Sequence, residues 1–263
     1  MAMRRHIGLG AVSLAFAVSG ALAGQSATKK VGTAKKPNPA YVKVKDDPSL
    51  PRVLLIGDSI SEGYTLPVRT ALKGKANVHR IPTNGGPTTE GLKNLKTWLG
   101  RGKWDVIHFN WGLHDIKLMS DGKHQVPIEQ YEKNLRELVK ELKATYAKLI
   151  WASTTPVPEG ALRPSRKRGD EVAYNAVAKK VMDENHIPIN DLYTFALAKL
   201  KDIQQPANVH FTPKGYEVLG ERVAASIEPL LPKAPSGSGK AGQTQPVGAK
   251  KPKKTSPAAP AKG

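Results

Sequence analysis

The chain contains no cysteine. Disulfides, cysteine nucleophiles and thiolate metal sites are excluded, so a fold must rest on an ordinary hydrophobic core. The two ends lack acids. Residues 1–45 hold eight Lys or Arg and residues 232–263 hold seven Lys, with no Asp or Glu in either. The formal charge of +19 therefore belongs to the ends, because residues 46–231 carry 26 basic against 22 acidic side chains. A strongly basic folded surface is not indicated, and with it no specific nucleic-acid partner. No apolar run reaches the ~20 residues of a spanning helix. The longest, from Ile7 to Leu22, is short and contains glycine. No Gly-Lys-Ser/Thr phosphate loop occurs, which disfavours nucleotide binding.

That first apolar segment follows Arg4 and Arg5 and ends at Ala21-Leu22-Ala23, an A-x-A site. Residues 1–23 are read as a signal peptide, which predicts a secreted or periplasmic protein without a membrane span in its mature form. Residues 24–48, rich in Lys, Pro, Ala and Gly, read as a linker. Residues 232–263 lack aromatics and aliphatic bulk, so they cannot bury enough surface to offset chain entropy and are expected to be disordered. Their lysines either attract anionic cell-wall polymer, lipid or nucleic acid, or form a plain solvated tail. One domain is expected over 49–231.

Within it, strand and helix patterns alternate. Strands are predicted at Val53–Ile56, Asn77–Ile81, Asp105–Phe109, Lys148–Ala152 and Ile187–Asn190. Residues 127–146, 169–186 and 212–231 carry apolar side chains at helical spacing. Five strands with intervening helices imply an α/β fold, a parallel sheet covered on both faces. Ligands of such sheets sit at the carboxyl ends of the strands.

Four segments near those ends carry candidate chemistry. Gly57-Asp58-Ser59 places a hydroxyl where a helix begins and backbone N–H groups point outward, a site for an oxyanion. The plain alternative is a helix cap. "NGGPTT" (84–89) has paired glycines that let backbone approach a ligand, or form an ordinary turn. "HFNWGLHD" (108–115) brings Asn110 and His114 as donors, or as edge polarity. "PANVHFTPKGY" (206–216) places His210 before the last helix, as a base or a structural histidine.

In this order, over about residues 50–231, the four segments resemble the SGNH/GDSL hydrolase superfamily. The resemblance implies a flavodoxin-like three-layer α/β/α sandwich with a five-stranded parallel sheet, and an ester hydrolase that needs no metal or organic cofactor. "GDSISEGY" matches the block whose serine is the nucleophile and gives one oxyanion N–H, hence Ser59. "NGGPTT" matches the second block, whose glycine is another donor, hence Gly86 with Gly85 as runner-up. "VHFTPKGY" matches the fifth block, hence His210 as base.

Two positions depart from the family. His114 stands where an asparagine donor is usual, so either His114 with a suitable tautomer or Asn110 completes the oxyanion hole. Ala207 stands where the orienting aspartate is usual, beside Asn208. A Ser–His dyad, or an acid recruited from elsewhere, is expected; Asp202 is the candidate acid. Asp58 is expected to hold the turn and Asp191 to serve packing or a cap. The expected substrate is an acylated small molecule or glycan, by way of O-acetyl groups on carbohydrate or cell-wall polymer. An O-acyltransferase using the same serine, and a non-catalytic carbohydrate- or polyanion-binding protein, are the alternatives. The basic loop "ALRPSRKRGD" (161–170) either meets an anionic sugar or phosphate group or is simply solvated.

Overall fold

The computed structural model describes residues 38–232. The expected signal peptide, residues 24–37 of the expected linker, and residues 233–263 of the expected tail lie outside them. The strands are β1 (Arg52–Ile56), β2 (Asn77–Arg80), β3 (Val106–Phe109), β4 (Lys148–Ala152) and β5 (Ile189–Asn190). They form one parallel sheet in the order β2-β1-β3-β4-β5. The chain direction across the sheet reverses at β1, so a crevice opens beyond the ends of β1 and β3. Val53 to Ile56 are all buried, as a strand covered on both faces requires.

The helices are α1 (Ser59–Ala71), α2 (Thr88–Leu99), α3 (Ile128–Lys143), α4 (Asp170–Glu184), α5 (Leu192–Leu197), α6 (Leu200–Ile203) and α7 (Pro213–Ile227). α3 packs between α2 and α4 on one face, and α1 packs against α7 on the other. The result is the expected flavodoxin-like sandwich. Tyr131, Leu135, Leu138, Val139 and Leu142 form the buried stripe of α3. β5 is shorter than predicted. The Ile187 N–H still bonds back to Met182 at the end of α4, and Pro188 has no N–H to give the sheet.

The expected boundary at residue 49 moves towards the N-terminus. Residues 38–48, read as linker, pack on the domain. Tyr41 donates its hydroxyl to Glu62 of α1 at 2.8 Å. The Arg69 guanidinium donates to the carbonyls of Pro39 and Val42, each at 3.3 Å. The Asn77 side chain bonds to the backbone of Asp47 in both directions. The polarity that suggested a linker is spent on partners distant in the chain.

α1 and α7 pack against each other with a glycine of each at the crossing. A Cβ on Gly63 would lie 2.1 Å from the Tyr216 ring, and one on Gly220 2.3 Å from the Pro67 Cβ. Neither fits without separating the helices. This contact holds the first turn of α1, which starts at Ser59, against the loop that leads into α7. Gly220→Val is expected to destabilise the fold by ~1–3 kcal/mol through overpacking. Urea denaturation of the variant beside wild type checks it, and an unchanged midpoint would contradict the packing argument.

Candidate active site

Asp58 is the N-cap of α1. It is buried, and its Oδ1 accepts the Ile60 N–H at 2.9 Å. Ser59 is thereby the first residue of a 13-residue helix, with its N–H free of any intramolecular acceptor among the described residues. The positive end of the helix dipole lies at this point. Beneath the turn lies Arg80, a buried cation that sequence reasoning missed. It donates to Ser61 Oγ at 2.9 Å, to Gly57 O at 3.3 Å and to Thr83 O at 3.2 Å. It therefore joins the end of β1 to the loop after β2.

Ser59 Oγ lies 2.8 Å from His210 Nε2, across 151 residues of chain. The tautomer of His210 follows from its neighbours. Asn208 Oδ1 accepts the backbone N–H of His210 at 3.0 Å, which fixes that atom as the oxygen. The same oxygen lies 2.8 Å from His210 Nδ1. Nδ1 must then carry the proton, and Nε2 presents its lone pair to the serine hydroxyl. The partner of His210 is thus Asn208, not a recruited acid. Asp202 does not fill this role; it is exposed on α6 with no side-chain hydrogen bond among the described residues. Asp191 caps α5 through Thr194.

The loop that carries His210 is held by amides. Asn208 Nδ2 donates to Gln205 Oε1 at 3.1 Å. Gln205 donates its side chain to Phe211 O at 2.9 Å, and Gln204 donates to Pro156 O at 2.9 Å. Ala207 sits in left-handed backbone at φ +47°, a conformation that Asn or Asp adopts more readily.

A cleft of about 600 Å³ opens beside the pair, and Asn84, His114 and Lys117 line it with them. His114 Nδ1 lies 2.9 Å from Lys117 Nζ. An ammonium only donates, so Nδ1 accepts and the proton resides on Nε2. Burial pushes the His114 imidazole down to about 4, against the opposing charge of Asp58, and Lys117, Arg166 and His210 lower it further. His114 is therefore a neutral N–H donor. Asn110 is not available: its amide donates to Ala152 O at 2.8 Å and Thr154 Oγ1 at 3.3 Å, tying β3 to β4. Gly86 is also engaged, its N–H donating to Asn84 Oδ1 at 3.0 Å, and the Gly85 N–H goes to Gly57 O at 2.9 Å. A ligand would have to displace the Asn84 oxygen to reach Gly86. With that oxygen so placed, the Asn84 NH₂ has no intramolecular acceptor among the described residues and joins Ser59 N–H and His114 as a donor. An Asn just before paired glycines, the pattern of an Asx turn, is the signal that could have found it.

Asp115 is structural. Buried beside α2, it accepts the Thr88 N–H at 2.9 Å and the Thr88 hydroxyl at 2.6 Å, holding the glycine loop in place. Among the described residues no three His, Asp or Glu side chains cluster as metal ligands, and no helix is long and apolar enough to cross a membrane.

Burial raises the Asp115 carboxyl to about 7, against the lowering effect of the Thr88 hydrogen bonds. Between the unfolded value near 4 and about 7 the folded state holds a proton that the unfolded chain releases. Stability from this group is therefore greatest at low pH and falls as pH rises through that window. Asp115→Asn, which imitates the protonated acid, is expected to flatten this part of the profile. Denaturation midpoints at pH 4.0 to 7.5 for both proteins check it, and parallel profiles would count against it.

Residues 55–218 match the family model described as the GDSL-like Lipase/Acylhydrolase family. A search of curated proteins gives no significant match. Among solved structures, a lipase/acylhydrolase from Enterococcus faecalis superposes with TM-score 0.60 at 24% identity, covering 69% of this chain and 97% of its own. An acetyl xylan esterase gives TM-score 0.59 at 17% identity, over 67% of this chain and 99% of its own. An acetylxylan esterase from Geobacillus stearothermophilus gives 0.57 at 20%, over 67% and 94%. At these identities the likeness speaks for the fold. The family match covers more than half of the sequence and includes Ser59 and His210, so the chain belongs to the GDSL-like lipase/acylhydrolase family and is an ester hydrolase.

Proposed function

We propose that the protein is a serine esterase that removes O-acetyl groups from carbohydrate or cell-wall polymer through an acyl-enzyme. The observation that carries the mechanism is the 2.8 Å contact of Ser59 Oγ with an unprotonated His210 Nε2. His210 takes the hydroxyl proton as Oγ bonds to the ester carbonyl carbon. The carbonyl oxygen becomes an oxyanion, for which Ser59 N–H, His114 Nε2–H and the Asn84 amide are the donors at hand. As the tetrahedral species collapses, His210 passes its proton to the leaving alkoxide. Water then gives a proton to the same nitrogen and attacks the acyl carbon, and His210 returns that proton to Ser59 Oγ as the acyl–oxygen bond breaks and the acid leaves. The positive charge formed on His210 meets the Asn208 amide dipole instead of a carboxylate.

The substrate class is supported by the acetyl xylan esterases among the structural neighbours and by the open cleft beside Ser59. The assembled pair, with both histidine tautomers set, favours catalysis over a non-catalytic binding role. Export through residues 1–23 remains part of the proposal, since a polymer substrate would lie outside the membrane.

With 4-nitrophenyl acetate, Ser59→Ala and His210→Ala are expected to lower kcat by ~10³-fold or more. His114→Ala is expected to cost ~10²–10³, the typical cost of one lost oxyanion donor. Steady-state kinetics check all three, and full activity in His114→Ala would remove it from the hole. Asn208→Asp tests the orienting role. A carboxylate beside the imidazole favours its charged form, so the acid limb of the kcat/KM profile should move to higher pH. An unmoved limb would show that residue 208 does not contact the base during turnover.

A further inference from the structure

The cleft beside Ser59 carries charge of one sign. Apart from His114 and His210, its ionisable lining is Lys117, Arg163 and Arg166, with no carboxylate. None of the three forms an ion pair among the described residues. The contrast is sharp within one loop: Arg168, two residues beyond Arg166, is paired with Glu159. Arg166 is held by backbone. Its Nε donates to Leu113 O at 2.7 Å and its Nη1 to Pro164 O at 3.2 Å, which leaves Nη2 without an acceptor among the described residues. Lys117 is half-buried against His114. Burial lowers the pKa of Lys117 and of Arg166, and the charge of Arg166 lowers Lys117 further. The acids whose charges reach Lys117, Asp58 and Asp115, are both buried and already bonded to backbone N–H groups.

Lys117 and Arg166 are held near each other partly out of water, with Arg163 exposed at the rim and none of the three in an ion pair among the described residues; such crowding of like charge costs free energy that an entering anion would relieve. Guanidinium groups with unused N–H donors suit planar oxyacids in particular. With the cleft read as the ester-binding site, we propose that the substrate carries an anionic oxygen group, a carboxylate or a phosphate, close to its acyl ester, and that Arg163 and Arg166 bind that group.

The test is binding to the Ser59→Ala protein, which keeps the cleft but cannot turn over. Calorimetry compares two matched pairs. One is O-acetylated oligogalacturonate against its carboxyl-reduced counterpart. The other is an O-acetylated hexose 6-phosphate against its unphosphorylated parent. The charged member of at least one pair is expected to bind about tenfold tighter, a difference of ~1.4 kcal/mol. The pair that shows it tells carboxylate from phosphate. The preference should shrink at high salt and collapse when Arg163→Gln and Arg166→Gln are added. Lys167→Gln, on the same loop but outside the cleft, should leave it intact. Equal binding within both pairs, or a preference that survives loss of both arginines, overturns the proposal. Failure of the esterase reading would be seen separately, as absence of 4-nitrophenyl acetate turnover by wild type.

Discussion

Two helices that present only hydrogen at their crossing, α1 at Gly63 and α7 at Gly220, set the distance on which the site depends. The nucleophile begins one of them and the base precedes the other, so the gap between Ser59 and His210 is a consequence of helix packing. Tyr216 fills the space over Gly63, and Pro67 fills the space over Gly220. Core packing of this density transmits small displacements, which makes the crossing part of the catalytic geometry although it lies outside the cleft.

The two histidines of the cleft are held in opposite tautomers by neutral or cationic neighbours. Asn208 offers His210 an oxygen, so its outward nitrogen accepts. Lys117 offers His114 a proton, so its outward nitrogen donates. One ring suits proton abstraction and the other suits an oxyanion. A carboxylate would have favoured the charged form of either ring. The absence of acids from the cleft lining thus agrees with the roles of both rings.

Much of the fold was legible because its signals are local. The apolar run Val53–Ile56, cut off at Gly57, reads as a strand buried on both faces, and the stripe of α3 repeats at 3.6 residues. Ser59 and His210 were legible because each sits in a short motif at a strand or helix end. Asn208 was not, because the orienting group was expected one residue earlier, and a side-chain amide gives no sequence signal distinct from a turn former. Arg80 was not legible because nothing in its sequence neighbourhood marks it; only tertiary contacts place it beneath the Ser59 turn. Asn110 and Gly86 read as donors with free hydrogens. Their partners, Ala152 on the adjacent strand and Asn84 two residues back, belong to loop and sheet geometry that residue type does not specify. The segment 38–48 misled for the same reason: its composition suits a linker, and only Glu62, Arg69 and Asn77 make it part of the domain.

Asn208 grips both the backbone and the ring of His210, and Gln205 grips Asn208 and the chain beyond the base. The base and its orienting partner therefore form a closed ring of bonds within one loop. Gln204 ties the same loop to Pro156 O, so the imidazole's orientation is set inside the loop while its position is set by the elements the loop is anchored to. Reach and orientation are separable in such a design.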